Sequence, residues 1–428
     1  MAATAQIPEA VANVDFAAGC GRSILILNQT FYPDVVSTAQ HAADLAVALV
    51  GAGYRVTVLT GAHAYDDPSR EFPAREAWRG MQIIRVSGTA FGKGARWRRA
   101  ADFGTYMAAC AARAALLQHH DLTIALTSPP LISFLGSLLL PLKKTGALLF
   151  WAMDLNPDEA IAAGWLRERS LPGRVLSSMQ LQSMHRATRI VALDDFMKER
   201  MIAKGLAADK IDVISPWTHE PVSFDAAASG EFRAQHGLAG KFVVMYSGNH
   251  SPCHPLDTVI EAARRLESDP RIVFCFVGGG SEHRRLREIA RQQNLRNLIF
   301  LPYQPLEELG ASLSAADLHL VVMGEPFVGI IHPCKIYNVL RVGAPVLYIG
   351  PSPSHITDLL AELNSSQTYR ANNGDVEGVV EKILDAAAVP HRANPRHVSF
   401  AEKFSHQVLI SRMLDVVREA LATSEARA

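Results

Sequence analysis

Short runs of uninterrupted apolar residues alternate along the chain with stretches whose apolar positions recur every three to four residues. Ser23-Ile24-Leu25-Ile26-Leu27-Asn28 is the clearest run, unbroken as in a central parallel strand buried on both faces. A loop through Tyr32-Pro33-Asp34 follows, then a helical pattern with Leu45, Ala48 and Leu49 on one face. Gly51 and Gly53 stop that helix before the next strand at 55–59. Together these make a βαβ unit of about 35 residues. The pattern restarts at 241–248, again an apolar run opening onto a loop, and Leu256, Val259, Ile260 and Ala263 mark the helix after it. A strand at 271–277 ends in Gly278-Gly279-Gly280. Strands alternating with helices from end to end predict an α/β fold with parallel sheets. The two restarts predict two Rossmann-like domains facing each other across a cleft, with the loops after their strands turned into it.

The boundaries follow from the breaks in this pattern. Residues 1–21 read as a flexible extension, 22–218 as the first Rossmann-like domain and 219–392 as the second. Residues 393–428 hold a helical pattern, densest over 400–420, expected to pack back on the first domain. Segment 215–240, with Pro216, Pro221 and an Ala-Ser-Gly run, reads as a strand-free interdomain connection. Residues 122–142 carry no charge and could span a bilayer by length, but Pro129, Pro130 and Pro141 break them into a buried strand, a turn and an apolar helix.

Composition narrows the function. There are 42 Lys+Arg against 42 Asp+Glu in 428 residues, which argues against nucleic acid as the main partner. Five scattered cysteines without a CxxC pair fit reduced cytosolic thiols and neither a disulfide framework nor a zinc site. Residues 1–20 contain Glu9 and Asp15 but no Lys or Arg, unlike a signal peptide. The expected location is the cytoplasm, with peripheral contact to the inner membrane face as an added expectation. That addition comes from Lys93, Arg96, Trp97, Arg98 and Arg99, a basic cluster suited to an anionic lipid surface, a lipid diphosphate, or plain solvation.

The post-strand loops carry the candidate chemistry. Gly278-Gly279-Gly280-Ser281-Glu282 suits either a phosphate cradle or a tight turn, and lacks the dinucleotide fingerprint. In Gly324 to Tyr337, Pro333 is placed to open a helix whose first amides, with Lys335, would face an anion. The alternative is an ordinary loop with a solvated lysine. Gly248-Asn249-His250-Ser251-Pro252-Cys253-His254-Pro255 is rich in histidine; His250 and His254 without a second ligand pair are a weak metal signal, and the loop suits either ligand contact or a purely structural role. Asp154 follows the strand at 147–153 and suits either proton transfer and sugar orientation or, with Asn156, the capping of a helix started by Pro157.

Six motifs in order then resemble one family: ILILNQTFYPD at 24–34, TSPP at 127–130, DLNPDEAIAAG at 154–164, YSGNH at 246–250, FVGGGSE at 276–282 and HPCKIYNVLRVGAPV at 332–346. The chain resembles the two-domain GT-B glycosyltransferases of family 4, of the capsular and exopolysaccharide type, over about residues 22 to 420. The resemblance implies a retaining, metal-independent transferase using a nucleotide-diphosphate sugar as co-substrate, with no cofactor. Its acceptor would be a glycan or lipid-linked glycan. By the same resemblance the second domain binds the donor through Gly248, Asn249, Gly278, Gly279, Gly280, Tyr303, Gly329, Pro333, Cys334 and Asn338. Asp154, Lys335 and His254 would take the catalytic roles, and Ser37, Thr38, Asn156, Arg96 and Arg98 would line the acceptor side.

The chain departs from the family pattern in three places. Asn249 and His254 stand where many members have Arg and Lys. Ile330 and Asn338 stand where many have a glutamate pair, and Val36-Ser37-Thr38 replaces a glycine pair. With Lys335 as the one fixed cation, His254 is expected to lend charge to the diphosphate, so that donor affinity rises as pH falls through the histidine range. A nucleotide-sugar epimerase of the same plan and a catalytically silent partner subunit are the competing readings.

Overall fold

A computed structural model describes residues 21–34, 36–64, 69–89, 91, 96–218, 222–389 and 393–426. The extension expected over 1–21 lies outside the described residues except for Gly21, and Lys93 lies outside them too. By proximity along the backbone the chain separates into two compact units. One comprises the described residues up to Trp151, with Gln182–Ile190 and the stretch from Met413; the other comprises Ala152–Leu181 and Val191–Arg412.

Among the described residues, fourteen strands form two sheets. They are β1 Ser23–Leu27, β2 Arg55–Gly61, β3 Arg75–Trp78, β4 Met81–Val86, β5 His120–Ala125, β6 Thr145–Trp151, β7 Arg189–Ala192, β8 Ile211–Val213, β9 Phe242–Asn249, β10 Ile272–Gly279, β11 Leu298–Leu301, β12 Leu318–Val322, β13 Val346–Ile349 and β14 Thr368–Ala371. The first sheet has the order β3-β4-β2-β1-β5-β6-β7-β8 and the second β11-β10-β9-β12-β13-β14. Strands β4, β2, β1, β5 and β6 run parallel to one another, and β3 joins β4 as an antiparallel edge. Every pairing in the second sheet is parallel. The protein is therefore a two-sheet α/β fold, as the alternation of elements predicts.

Burial explains the apolar runs. In the first unit Ile24 to Leu27 are at most 1% exposed, as a strand covered on both faces requires. In β9, successive side chains enter opposite layers. Val244 and Tyr246 pack with Val259, Ile260 and Leu286 on one side, while Val243 and Met245 pack with Phe232 and Leu238 on the other.

Two local differences from the sequence reading, at 215–240 and in the tail, have physical causes, while the run at 122–142 divides as expected. Segment 215–240 contains the helix Ala226–Gln235, capped by Asp225, whose carboxylate accepts the Ala228 amide. Arg233 of that helix pairs with Asp317 and Ser229 bonds the Ser314 carbonyl, so the stretch belongs to the body of the second unit. The uncharged run at 122–142 divides into β5 and the helix Ile132–Leu139. Among the described residues, no helix is long and apolar enough to cross a membrane. The tail is two helices, Pro395–Ala401 and His406–Glu425, separated by a short 3-10 turn. From the second of these, Glu419 pairs with Arg189 and Glu425 with Arg22 in the first unit.

Candidate active site

The strand order of the second sheet locates its site. Numbered from β9, the order reads 3-2-1-4-5-6, so direction reverses between β9 and β12. Loops leaving the carboxyl ends of strands on either side of such a reversal leave a crevice that ligands use. Here these are the end of β9 and the loop after it, through Gly248 to Pro255, and the loop after β12, through Gly324 to Lys335. Two bonds join them: the Gly324 amide donates to the Cys253 carbonyl at 2.9 Å, and His254 Nδ1 lies 2.7 Å from the Val322 carbonyl.

Lys335 stands at this reversal. It opens the helix Lys335–Arg341, and its Nζ lies 3.4 Å above the centre of the Tyr246 ring, against Gly248. Nζ is sealed from solvent with no hydrogen-bond partner. Burial pushes its pKa well below the lysine range, and a nearby Cys334 only partly offsets this. The helix begins two residues later than Pro333 suggests. The amides of Cys334, Ile336 and Tyr337 are spent on the His332, Pro333 and Cys334 carbonyls. The cradle of free amides expected at Pro333 and Cys334 is therefore absent, and the polar group this turn leaves without a hydrogen-bond partner is the Lys335 ammonium.

His254 does not supply the expected charge. It is buried, its Nδ1 is engaged by the Val322 carbonyl, and burial together with the Lys335 charge lowers its pKa to about 3. His250 falls to about 4 for the same two reasons. Neither ring gains charge between pH 6 and 8, so the expected rise in donor affinity with acid has no source in His254. Arg285, which shares a small pocket with His254, is a fixed cation, but Asp257 and Glu282 hold it at 2.7 and 2.6 Å.

The glycine triplet sits beside these loops because the backbones meet. Gly278 pairs with Gly248 in register, and a Cβ on Gly280, at φ +135°, would collide with the His250 carbonyl. Tyr303, half exposed, covers Gly279 and its hydroxyl bonds the Gly279 carbonyl at 3.2 Å. Asn249 ends β9 next to this turn, whereas Asn338 lies on the Lys335 helix.

Asp154 and Asn156 also belong to the second unit, and neither caps the helix Asp158–Ala162. Instead, one Asn156 amide nitrogen bonds Asp154 Oδ1 at 2.9 Å and Glu159 Oε2 at 3.0 Å. Cys253 Sγ donates to Glu159 Oε1 at 3.4 Å, which ties these carboxylates to the loop after β9. Burial and the Glu159 charge push the Cys253 thiol far up.

Ser37, Thr38, Arg96 and Arg98 belong to the first unit. Ser37 and Thr38 open the helix Ser37–Gly51, with Thr38 Oγ1 3.1 Å from Thr30 Oγ1. Arg96 opens the helix Arg96–Leu116, on which Arg98 is exposed.

His332 and Tyr337 fall in the motif at 332–346, but the sequence gives no sign of their grouping with Asp194 and His355, because 138 residues separate Asp194 from His332. Asp194 Oδ2 and His332 Nδ1 are 2.7 Å apart, and His332 Nε2 is 2.6 Å from the Tyr337 hydroxyl. His355 stacks on His332 with centroids 4.0 Å apart and planes at 21°. Burial opposes ionisation of Asp194, yet the His332 hydrogen bond, the two histidines and the Met197 amide together lower its pKa. Among the described residues, Asp194, His332 and His355 are the one group whose potential ligand atoms all lie within 4.8 Å of one another. Stacked rings aim their in-plane lone pairs nearly parallel, so in this arrangement both cannot point at one tetrahedral ion.

Residues 38–217 match the glycosyl transferase 4-like domain, and residues 229–328 match the glycosyl transferases group 1 domain. The chain belongs to the family 4 glycosyltransferases of GT-B fold. Over 263 residues it is 28% identical to the putative colanic acid biosynthesis glycosyl transferase WcaI of Escherichia coli (strain K12). That match covers 60% of this chain and 62% of the relative, less than two thirds of its length. Among solved structures, a sucrose-phosphate synthase from Thermosynechococcus elongatus superposes with a TM-score of 0.72 at 17% identity, covering 94% of this chain and 99% of that one. Anabaena Alr3699/HepE, solved in complex with UDP-glucose, gives 0.67 at 16% identity, with 93% and 99% covered. WaaG, a glycosyltransferase involved in lipopolysaccharide biosynthesis, gives 0.61 at 15% identity, with 92% and 99% covered.

Proposed function

We propose that this protein transfers a hexosyl group from a nucleotide-diphosphate sugar to a glycan or lipid-linked glycan, with retention and without a metal, in cell-surface polysaccharide biosynthesis. One observation carries the reading: an ammonium sealed from solvent, without an acceptor, at the reversal point of the second sheet. A buried cation lacking a counter-charge is costly, and an entering diphosphate supplies the missing anion. In the transfer step the sugar–phosphate bond breaks and negative charge grows on the departing phosphate, where Lys335 stabilises it. The Asp154–Asn156–Glu159 group lies beside the same loops and offers carboxylate acceptors to sugar hydroxyls. No covalent nucleophile is required, because positioning and leaving-group stabilisation account for most of such a rate.

The acceptor is assigned to the first Rossmann-like domain. A membrane-embedded acceptor would be met through the basic segment at 93–99. HepE's complex with UDP-glucose and WcaI's description as a colanic acid enzyme support the donor class and the polysaccharide role.

The test is a thermal-shift screen of UDP-, GDP- and dTDP-sugars, followed by release of the nucleoside diphosphate in the presence of lipid-linked glycans. The expected result is stabilisation by one donor series and acceptor-dependent release that Lys335→Ala abolishes. An isomerised sugar nucleotide from donor alone would favour an epimerase, and donor binding without release a silent subunit.

A further inference from the structure

The loop that delivers Lys335 is tied at three successive places to the stretch 155–200. The Leu155 amide donates to the Ile330 carbonyl at 3.0 Å, and Arg200 donates to the Val328 carbonyl at 3.0 Å. The third tie is between side chains, His332 Nδ1 to Asp194 Oδ2 at 2.7 Å. Both Asp194 oxygens are committed, because Oδ1 accepts the Met197 amide at 2.8 Å and caps the helix Asp195–Ala203. An ionised carboxylate can only accept, so the proton of the third tie sits on Nδ1. Nε2 then meets the Tyr337 hydroxyl at 2.6 Å. The side chains of His332 and Asp194 are 1% and 7% exposed, so water does not compete for these bonds.

This chain of bonds spans the turn into the Lys335 helix, since His332 precedes Lys335 by three residues and Tyr337 follows it by two. The backbone bonds within the turn itself are local. Pro333 has no N–H, and the Cys334 amide and thiol both turn back to the His332 carbonyl, at 2.8 and 3.1 Å. The lysine ammonium finds no hydrogen-bond acceptor of its own. Apart from the face of the Tyr246 ring, its location is therefore set by where the backbone launches the side chain.

We propose that Asp194 and His332 are positioning residues for Lys335, and that their bond, extended to Tyr337, holds the turn that places the ammonium over Tyr246. The proposal rests on the reading of Lys335 as the diphosphate-binding group. It adds that a carboxylate–imidazole pair remote in sequence sets the competence of that group.

The test compares full-length wild type, His332→Ala, His332→Asn and Asp194→Asn. His332→Asn keeps a donor for Asp194, whereas Asp194→Asn keeps the helix cap. Lysine labelled with 13C at Cε, with Lys335→Arg to assign its signal, reports the environment of the ammonium by NMR titration. Free UDP, GDP and dTDP report anion binding by calorimetry. In His332→Ala the Lys335 titration is expected to move up toward that of a solvated lysine, with about tenfold weaker binding of whichever diphosphate wild type takes. His332→Asn should recover most of both effects. A purely structural His332 would lower the melting temperature but leave the Lys335 titration of the folded variant at its wild-type position, and that result overturns the proposal. If wild type binds no nucleoside diphosphate, the donor reading falls, while the titration alone still supports or overturns the positioning role.

Discussion

The Lys335 ammonium rests on the face of the Tyr246 ring, 3.4 Å from its centre, and among the described residues no hydrogen-bond acceptor meets it. The Tyr246 hydroxyl points elsewhere, to the Asn249 carbonyl at 2.7 Å. Ring and hydroxyl therefore have separable roles. Tyr246→Phe keeps the π face and should cost about 1 kcal/mol, the worth of one hydrogen bond. Tyr246→Leu removes the face as well, and should cost about 2 kcal/mol more, the worth of a desolvated cation–π contact. Urea melts of both variants measure the gap. It should narrow as pH rises and Lys335 loses its proton; a gap that ignores pH would mean the ring packs without holding charge.

Replacing Lys335 by Met should stabilise the protein while abolishing donor binding. The buried ammonium has no acceptor, and a thioether of similar length removes its desolvation cost, a gain of about 1 kcal/mol or more. The sign with pH follows from the lowered folded pKa. Between that value and the unfolded value near 10.4, the unfolded wild type binds more protons than the folded, so wild-type stability rises with pH. The advantage of Lys335→Met should accordingly be largest at low pH and vanish as pH approaches 10. Denaturant melts at pH 7 and 9.5, with calorimetric titration of the donor, check both halves.

The parts of this site that the sequence disclosed are those written in local pattern. The apolar runs of β9, β10 and β12 and the loops after them could be read directly, because buried parallel strands exclude polar residues. The glycine triplet does fall at the end of β10, and Lys335 at the start of the helix after the β12 loop. Tyr246 under Lys335 was hidden, since an aromatic within a strand reads equally well as core. The Asp194–His332 bond was hidden by distance along the chain. His254 misled for a different reason: a histidine flanked by prolines in a polar loop looks solvated, and only the packing of Val322 and Tyr246 around it shows that its charge is suppressed. The helix Ala226–Gln235 was missed because Ala, Ser and Gly dilute its apolar face, leaving the Asp225 cap as its one local signal.

Asn156 holds two carboxylates on a single amide nitrogen, and that arrangement predicts how it fails. Asn156→Ala leaves Asp154 and Glu159 without the shared donor and free to repel each other. Both are partly exposed, so water relieves much of the loss and the stability cost should stay near 1 kcal/mol. Activity should fall much further, by about a hundredfold, because carboxylates displaced by an ångström no longer meet the sugar. A steady-state assay beside a thermal melt separates the two effects. Equal, modest losses in both would assign Asn156 to folding alone.

Acid should destabilise the fold through histidines that the native state keeps uncharged. Burial, reinforced by the Lys335 charge, lowers His250 to about 4 and His254 to about 3; burial, reinforced by His332, lowers His355 to about 3. Their unfolded values lie near 6.5. Between 6.5 and the folded values the unfolded chain binds more protons, so stability falls as pH drops through that window and is intact above it. By pH 4.5 each of the three should cost up to about 3 kcal/mol. His254→Gln retains a donor for the Val322 carbonyl but cannot titrate, so its melts at pH 7 and 4.5 should lie closer together than those of wild type. The same variant should leave donor affinity equally unresponsive between pH 6 and 8, as in wild type. An acid-strengthened donor affinity that disappears in His254→Gln would mean that the ring does charge when the diphosphate is bound.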